Sequence, residues 1–250
     1  MNKENSLQFQ SYWPEEQAAD LLLDTAEIRL GILEAEEIEP GASLLVWAAN
    51  SLETLLGKLD NCLDSLSRPL YTKIPGQENK VKEITAYFSR AGFAVLDMHL
   101  DMRLNPIPDL DYPREVLLGP KQNFAALAAI DAAIFPLYQQ TAEELRSKAN
   151  SKAGAVLSIN ADDKPAGLVV GDIYGPNLDQ LFVRSIAVLP EYRGRGLGKK
   201  LLIALLAWGR QRGANRSMLW LSDVYNKPAR CLYESFGYHG KEVEAELVLK

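Results

Sequence analysis

The sequence predicts an α/β chain arranged in two halves. Three observations carry this. Leucine-rich and β-branched runs of strand length alternate with longer helical ones along all 250 residues. The segment RLNPIPDLDYP at 103–113 sets three prolines where no regular element survives. Hydrophobic residues make up 47% of the chain, enough to bury a real core in one large domain or two small ones.

In chain order, IRLGIL (28–33) and SLLVWAAN (43–50) read as strands, and a helical run follows near 51–66. KVKEITAYFSRAGF (80–93) is helical and leads into AVLDMHLDMRL. Beyond the proline seam, NFAALAAIDAAIF and TAEELRSKAN are helical, and AVLSIN, AGLVVGDIY and QLFVRSIAVL are strands. A long helix from about Gly196 to Arg212 buries Leu197, Leu201, Leu205 and Trp208 on one stripe, and Arg212-Gly213 stops it. Strand SMLWLS, a helix over 227–236 and the strand-rich KEVEAELVLK complete the order. The seam divides the chain into residues 1–108 and 109–250. ITAYFSRAGF and ARCLYESFGY both close a helix with glycine and an aromatic; aligning Gly92 with Gly237 sets Phe88 against Tyr233, a faint internal repeat.

A net charge of −6 and a pI near 5.1 argue against nucleic acid as the main partner. MNKENSLQFQ lacks the apolar centre of a signal peptide, and no apolar run approaches the ~20 residues of a membrane helix. The expectation is a cytoplasmic protein without a membrane partner. Cys62, Cys231, His99 and His239 form no metal-ligand pattern, so no metal is expected.

The chemistry concentrates in SIAVLPEYRGRGLGKKLL, residues 185–202. Gly198-Lys199 is followed by lysine, which fails the P-loop pattern, and Gly194, Gly196 and Gly198 are spaced too closely for the dinucleotide fingerprint. A strand ending at Val188-Leu189, a proline-started turn and a helix opened by glycines nevertheless present free amides and a positive dipole end to an anion. Arg193, Arg195, Lys199 and Lys200 add local positive charge.

Arg193, Gly196 and Gly198 resemble the RxxGxG/A signature of the GCN5-related N-acetyltransferase (GNAT) family. NKPARCLYESFGY resembles that family's later segment through Asn226, Ala229, Tyr233, Gly237 and Tyr238. The resemblance covers about residues 113–250. It implies the family's mixed-sheet fold, complete in the second half and partial in the first, and acetyl-CoA as cosubstrate. The diphosphate would lie on the amides of Arg193, Gly194, Arg195, Gly196, Leu197 and Gly198, beside Lys199. The pantetheine arm would pair with the strand Ile186-Ala187-Val188, through main-chain groups of Ile186 and Val188.

Ala229, Leu232, Tyr233 and Phe236 share one apolar face by helical spacing, so Tyr233 points inward. The resemblance gives Tyr233 the role of acid toward the departing thiolate; packing alone is the other reading. Asn226 suits both a helix cap and a coenzyme contact. Many family members carry a glutamate six residues before Val188, where this chain has Phe182, so the base is open. Asp172, Tyr174 and Asp179 border the strand ends, His239 has a suitable ordinary pKa, and Asp223 is the preferred candidate. Phe88 donates no proton, so the first half is expected to keep the fold without the chemistry, as in tandem members of the family. The expected reaction is direct acetyl transfer to a primary amine of a small molecule by a monomer or homodimer. The alternatives are acetylation of a protein N-terminus or lysine, and a silent acyl-CoA-binding module.

Overall fold

The computed structural model describes residues 7–11, 19–35, 38–119, 122–136, 139–222 and 227–250. In chain order these form β1 (Phe9–Gln10), β2 (Asp20–Asp24), β3 (Ile28–Glu34), β4 (Ser43–Ala49), α1 (Leu52–Leu63), β5 (Leu70–Gly76), α2 (Glu78–Arg90), β6 (Ala94–Leu104) and β7 (Val116–Leu118). Then come α3 (Phe124–Ile134), α4 (Ala142–Asn150), β8 (Gly154–Ala161), β9 (Lys164–Tyr174), β10 (Gln180–Val188), α5 (Leu197–Gln211), β11 (Arg216–Ser222), α6 (Lys227–Glu234) and β12 (His239–Leu249). None of the described helices is long and apolar enough to cross a membrane. The described residues fall into two compact units: those of Met1–Asp101, Leu221–Lys227 and Lys241–Lys250, and those of Met102–Trp220 and Pro228–Gly240.

In the first unit β2, β3 and β4 form an antiparallel run, β5 joins β4 in parallel, and β12 pairs antiparallel with β5. The β4–β5 pairing covers Ser43↔Leu70 and Leu44↔Tyr71, after which the strands part. β3 accompanies β4 along one whole edge, so β1 takes the other edge where β5 leaves it, at Phe9↔Ala49 and Gln10↔Ala48. Ser11 N–H donates to the Trp47 carbonyl, and Trp47 N–H donates to Ser11 Oγ, each at 2.8 Å. The Trp47 indole donates to Thr72 Oγ1 at 3.1 Å, and its ring lies 5.3 Å from that of Phe88. α1 buries Leu52, Leu55, Leu59 and Leu63 at helical spacing, and Ser51 accepts from Thr54 N–H as its cap.

The second unit runs β7-β8-β9-β10 antiparallel, with β11 added parallel to β10. α3 and α4 cover one face through Phe124, Leu127, Ile130 and Leu145 over Val156, Leu168, Val170 and Ala187. α5 covers the other, and glycines set how close it comes. A Cβ on Gly171 would meet Leu205 at 2.8 Å, and one on Gly209 would meet Leu181 at 2.9 Å, so helix and strands touch where side chains are absent. The expected stripe of Leu197, Leu201, Leu205 and Trp208 is buried, and so are Leu202 and Leu206, making α5 a more enclosed helix than one stripe predicts. Gly213 (φ 98°) ends it, with Ala214 N–H reaching back to the Gly209 carbonyl. The proline segment lies in this unit, where Ile107 N–H donates to the Asn215 carbonyl and Arg210 Nη1 to the Ile107 carbonyl, both at 2.7 Å.

Candidate active site

The site begins where two parallel strands separate. β10 pairs with β11 from Gln180↔Arg216 to Val183↔Leu219 and no further, while β9 follows it to Val188↔Gly167. The β9 register shifts between Val183 and Ser185, so Arg184 is an extra residue in the strand. Leu189 N–H donates to the Ala166 carbonyl on the β9 side. Main-chain direction alternates along a strand, so the groups of Val188 and Ile186 point to the edge that β11 has left. Ala187 turns its main chain to β9 and its methyl into the core under α3 and α4. The Val188 carbonyl accepts from Arg193 Nε at 3.1 Å, which leaves Ile186 the more open of the two.

The turn after β10 is a single 3-10 turn, Pro190–Tyr192, and Arg193 N–H donates to the Pro190 carbonyl at 3.2 Å. The open amides therefore begin at Gly194, not at Arg193. The first main-chain bond of α5 runs from Lys200 N–H to the Gly196 carbonyl, so the amides from Gly194 to Lys199 have no partner among the described residues. Gly194 (φ 75°) and Gly196 (φ 77°) both hold the left-handed conformation, and a Cβ on either would enter open space. Successive amides in that arrangement form a concave anion-binding nest at the positive end of α5. The side chains contribute less charge than expected: Arg195 pairs with Asp162 at 3.3 Å and Lys200 with Glu115 at 2.8 Å. Lys199 lies over the Phe236 ring, 6.0 Å from its centroid.

α6 stands beside this nest, since a Cβ on Gly198 would touch Leu232 at 3.7 Å. Tyr233 on the same helix is buried, its ring 5.7 Å from that of Tyr238. Tyr238 and Ser217 share a hydroxyl–hydroxyl bond of 2.6 Å, whereas the Tyr233 hydroxyl bonds to none of the described residues. Burial raises both phenols above their ordinary pKa, so Tyr233 keeps its proton through the neutral range. Asp223 and Asn226 lie outside the described residues.

The other base candidates are occupied or exposed. Asp172 accepts from Lys148 Nζ at 2.7 Å and pairs with Arg184. Asp179 pairs with Arg216 at 2.9 Å, and Tyr174 donates to the Met218 sulfur. His239 is exposed at the start of β12. Phe182 sits in an aromatic row, edge-on to Tyr174 at 6.4 Å and to Trp220 at 5.3 Å. One acid that sequence reasoning passed over is fully buried: Asp131 on α3 accepts from Gln140 N–H at 2.7 Å and from Ser185 Oγ at 3.5 Å. Desolvation raises its carboxyl above the ordinary value, against the opposite pull of those hydrogen bonds. The signal was present, because Asp131 is the single charged residue in NFAALAAIDAAIF. No group of three metal-binding side chains occurs among the described residues.

Residues 124–238 match the family model described as Acetyltransferase (GNAT) family. The chain is 36% identical over 84 residues to a ribosomal protein bS18-alanine N-acetyltransferase of Salmonella typhimurium, an alignment covering 33% of this chain and 53% of that one. It is 28% identical over 148 residues to a mycothiol acetyltransferase of Renibacterium salmoninarum, covering 53% and 43%. The chain spans about half the length of the curated relatives it matches. A solved tandem GNAT protein from the clavulanic acid biosynthesis pathway overlays 89% of this chain and 78% of its own, with a TM-score of 0.52 and 12% identity, a likeness of fold.

Proposed function

We propose that the chain, whose residues 124–238 match the acetyltransferase (GNAT) family model, transfers acetyl from acetyl-CoA directly to a primary amine of a small molecule. The observation that carries this is the row of unpartnered amides from Gly194 to Lys199, set at the mouth of the edge that β11 leaves open. The nest takes the diphosphate, Ile186 offers the arm a main-chain partner, and the thioester comes to rest near the break in β10. There the amine attacks the carbonyl carbon, the carbon–sulfur bond breaks, and Tyr233 supplies the proton the sulfur takes. Lys199 and Arg195 border the nest, and Asp223 and Asn226 remain proposed members of the site. The reading carries a cytoplasmic location, a monomer or homodimer, and no metal, membrane or nucleic acid.

Likeness to a ribosomal protein alanine acetyltransferase favours a second acceptor, the α-amine of a protein. The test is release of free thiol from acetyl-CoA against a panel of polyamines, amino acids and alanine-initiated peptides. Turnover of small amines supports the first reading and turnover of peptides alone supports the second. Tight binding without turnover reduces the chain to a silent coenzyme-binding module.

The division at 108/109 we read as one between a silent first copy of the fold and an active second one. Both units build two antiparallel pairings and then a parallel pair that parts early. The helix ends also agree. Gly92 N–H donates to the Ser89 carbonyl and Phe93 N–H to that of Phe88, and Gly237 and Tyr238 repeat this on Glu234 and Tyr233. Phe88 thus takes the place of Tyr233. In the first unit the parted edge of β4 is taken by β1, and Ser51 caps α1 where the second unit has open amides. The tandem protein overlaid on 89% of the chain supports the same reading.

A further inference from the structure

We propose that the amine proton leaves through Ser185 to Asp131, a serine at the break in β10 backed by a buried carboxylate on α3, in place of the glutamate that Phe182 displaces. The inference rests on the acetyltransferase reading above and concerns the step it left without a base.

The extra residue Arg184 is what brings Ser185 into position. In a regular strand, residues three apart point to opposite faces. Here Phe182 is paired with Asp172 and Ser185 with Val170, residues two apart on β9, so Phe182 and Ser185 point to the same face of the sheet. Ser185 also lies two residues past the last β10–β11 pair, at Val183↔Leu219, where the strand edge opens. Its hydroxyl donates to Asp131 Oδ1 at 3.5 Å, a long bond of the kind that tightens when substrate is bound. Asp131 is fully buried, and its Oδ2 is fixed by Gln140 N–H at 2.7 Å, which turns Oδ1 toward Ser185.

Among the described residues no charged side chain pairs with Asp131. On the elements packed against α3, Lys148 of α4 and Arg184 of β10 both pair with Asp172 of β9, Glu144 is bound to Thr141, and Arg146 lies over the Phe124 ring. In the step itself, the nitrogen gives its proton to Ser185 Oγ as the serine's own proton moves to Asp131. The nitrogen bonds to the thioester carbon, sulfur leaves with the proton of Tyr233, and solvent returns the proton from Asp131 to Tyr233. Ser185 touches the amine, and Asp131 is a positioning residue acting through it.

The experiment measures turnover against pH, with an amine that the wild type accepts, for Ser185→Ala, Ser185→Thr, Asp131→Asn and the Ala/Asn double variant, alongside thermal stabilisation by acetyl-CoA. Expected are losses in kcat of about 10²- to 10⁴-fold in Ser185→Ala and in Asp131→Asn. The double variant should lose no more than either single one, Ser185→Thr should recover most of the rate, and the acidic limb of the pH profile should vanish in Asp131→Asn. Stabilisation by acetyl-CoA stays intact throughout. A wild-type rate in Ser185→Ala, or losses that multiply in the double variant, would overturn the relay while leaving the acetyltransferase reading in place. If Asp131→Asn does not fold, Ser185→Ala decides, because it leaves the Asp131–Gln140 bond untouched. A wild type that shows neither stabilisation nor turnover overturns both readings.

Discussion

Gly196 opens α5 in a left-handed conformation that glycine adopts at no cost, and nothing stands within 4 Å of the place its side chain would occupy. A side chain there meets no clash but is strained at this φ of 77°, so its substitution costs some stability as well as the ligand. Saturating acetyl-CoA at a hundred times its dissociation constant should stabilise the wild type by about 2.7 kcal/mol. Gly196→Glu places a carboxylate over the nest and should remove that shift in a thermal-unfolding assay; an unchanged shift moves the diphosphate elsewhere. Tyr233→Phe makes the opposite prediction: the shift stays and kcat falls by about 10²-fold or more. A wild-type rate would return Tyr233 to a packing role. Both positions were legible in the sequence, because glycine spacing and helical periodicity are local properties. Asp131 showed only as the single charge in an apolar helix, a signal that becomes informative once its partner on β10, Ser185, is known.

At the scale of elements, the β10–α5 connection was readable because its strand, proline, glycines and helix are contiguous. β5 was missed: Pro69 and Pro75 bracket LYTKI and break the look of a strand, although the element lies between β4 and β12 with Pro75 paired to Glu244. The extra residue at Arg184 was equally hidden, since a bulge shows itself only in the register with β9. Helix placement depends on bare backbone. Gly171→Ala would push a methyl to 2.8 Å from Leu205 and 3.0 Å from the Phe182 carbonyl. A destabilisation of about 1–3 kcal/mol is expected from that overpacking, read by urea denaturation with an unchanged m-value. A neutral result would mean that α5 can slide, and that its N-terminal amides are less firmly held than the nest requires.

Over the whole molecule, the faint repeat in the sequence raised a question of stoichiometry that periodicity alone left open. In the first unit β4 and β5 part after two pairs, yet residues 9–11 lie along the edge of β4 and Trp47 reaches toward Thr72. Lys80 holds the segment down, donating to the Gln8 carbonyl at 2.7 Å and lying 4.6 Å from the Phe9 ring centroid. A strand from the chain itself thus makes the main-chain bonds that a pantetheine arm would need. Isothermal titration should accordingly find one acetyl-CoA per chain, and Gly196→Glu should leave none; a second site surviving that substitution would show that the first unit still binds. Ser11→Ala tests the plug directly. It removes the acceptor of the buried Trp47 N–H and should cost about 1–3 kcal/mol of stability, without changing affinity for acetyl-CoA or the count of one. Loss of affinity in that variant would give the first unit a part in coenzyme binding, which the filled edge of β4 argues against.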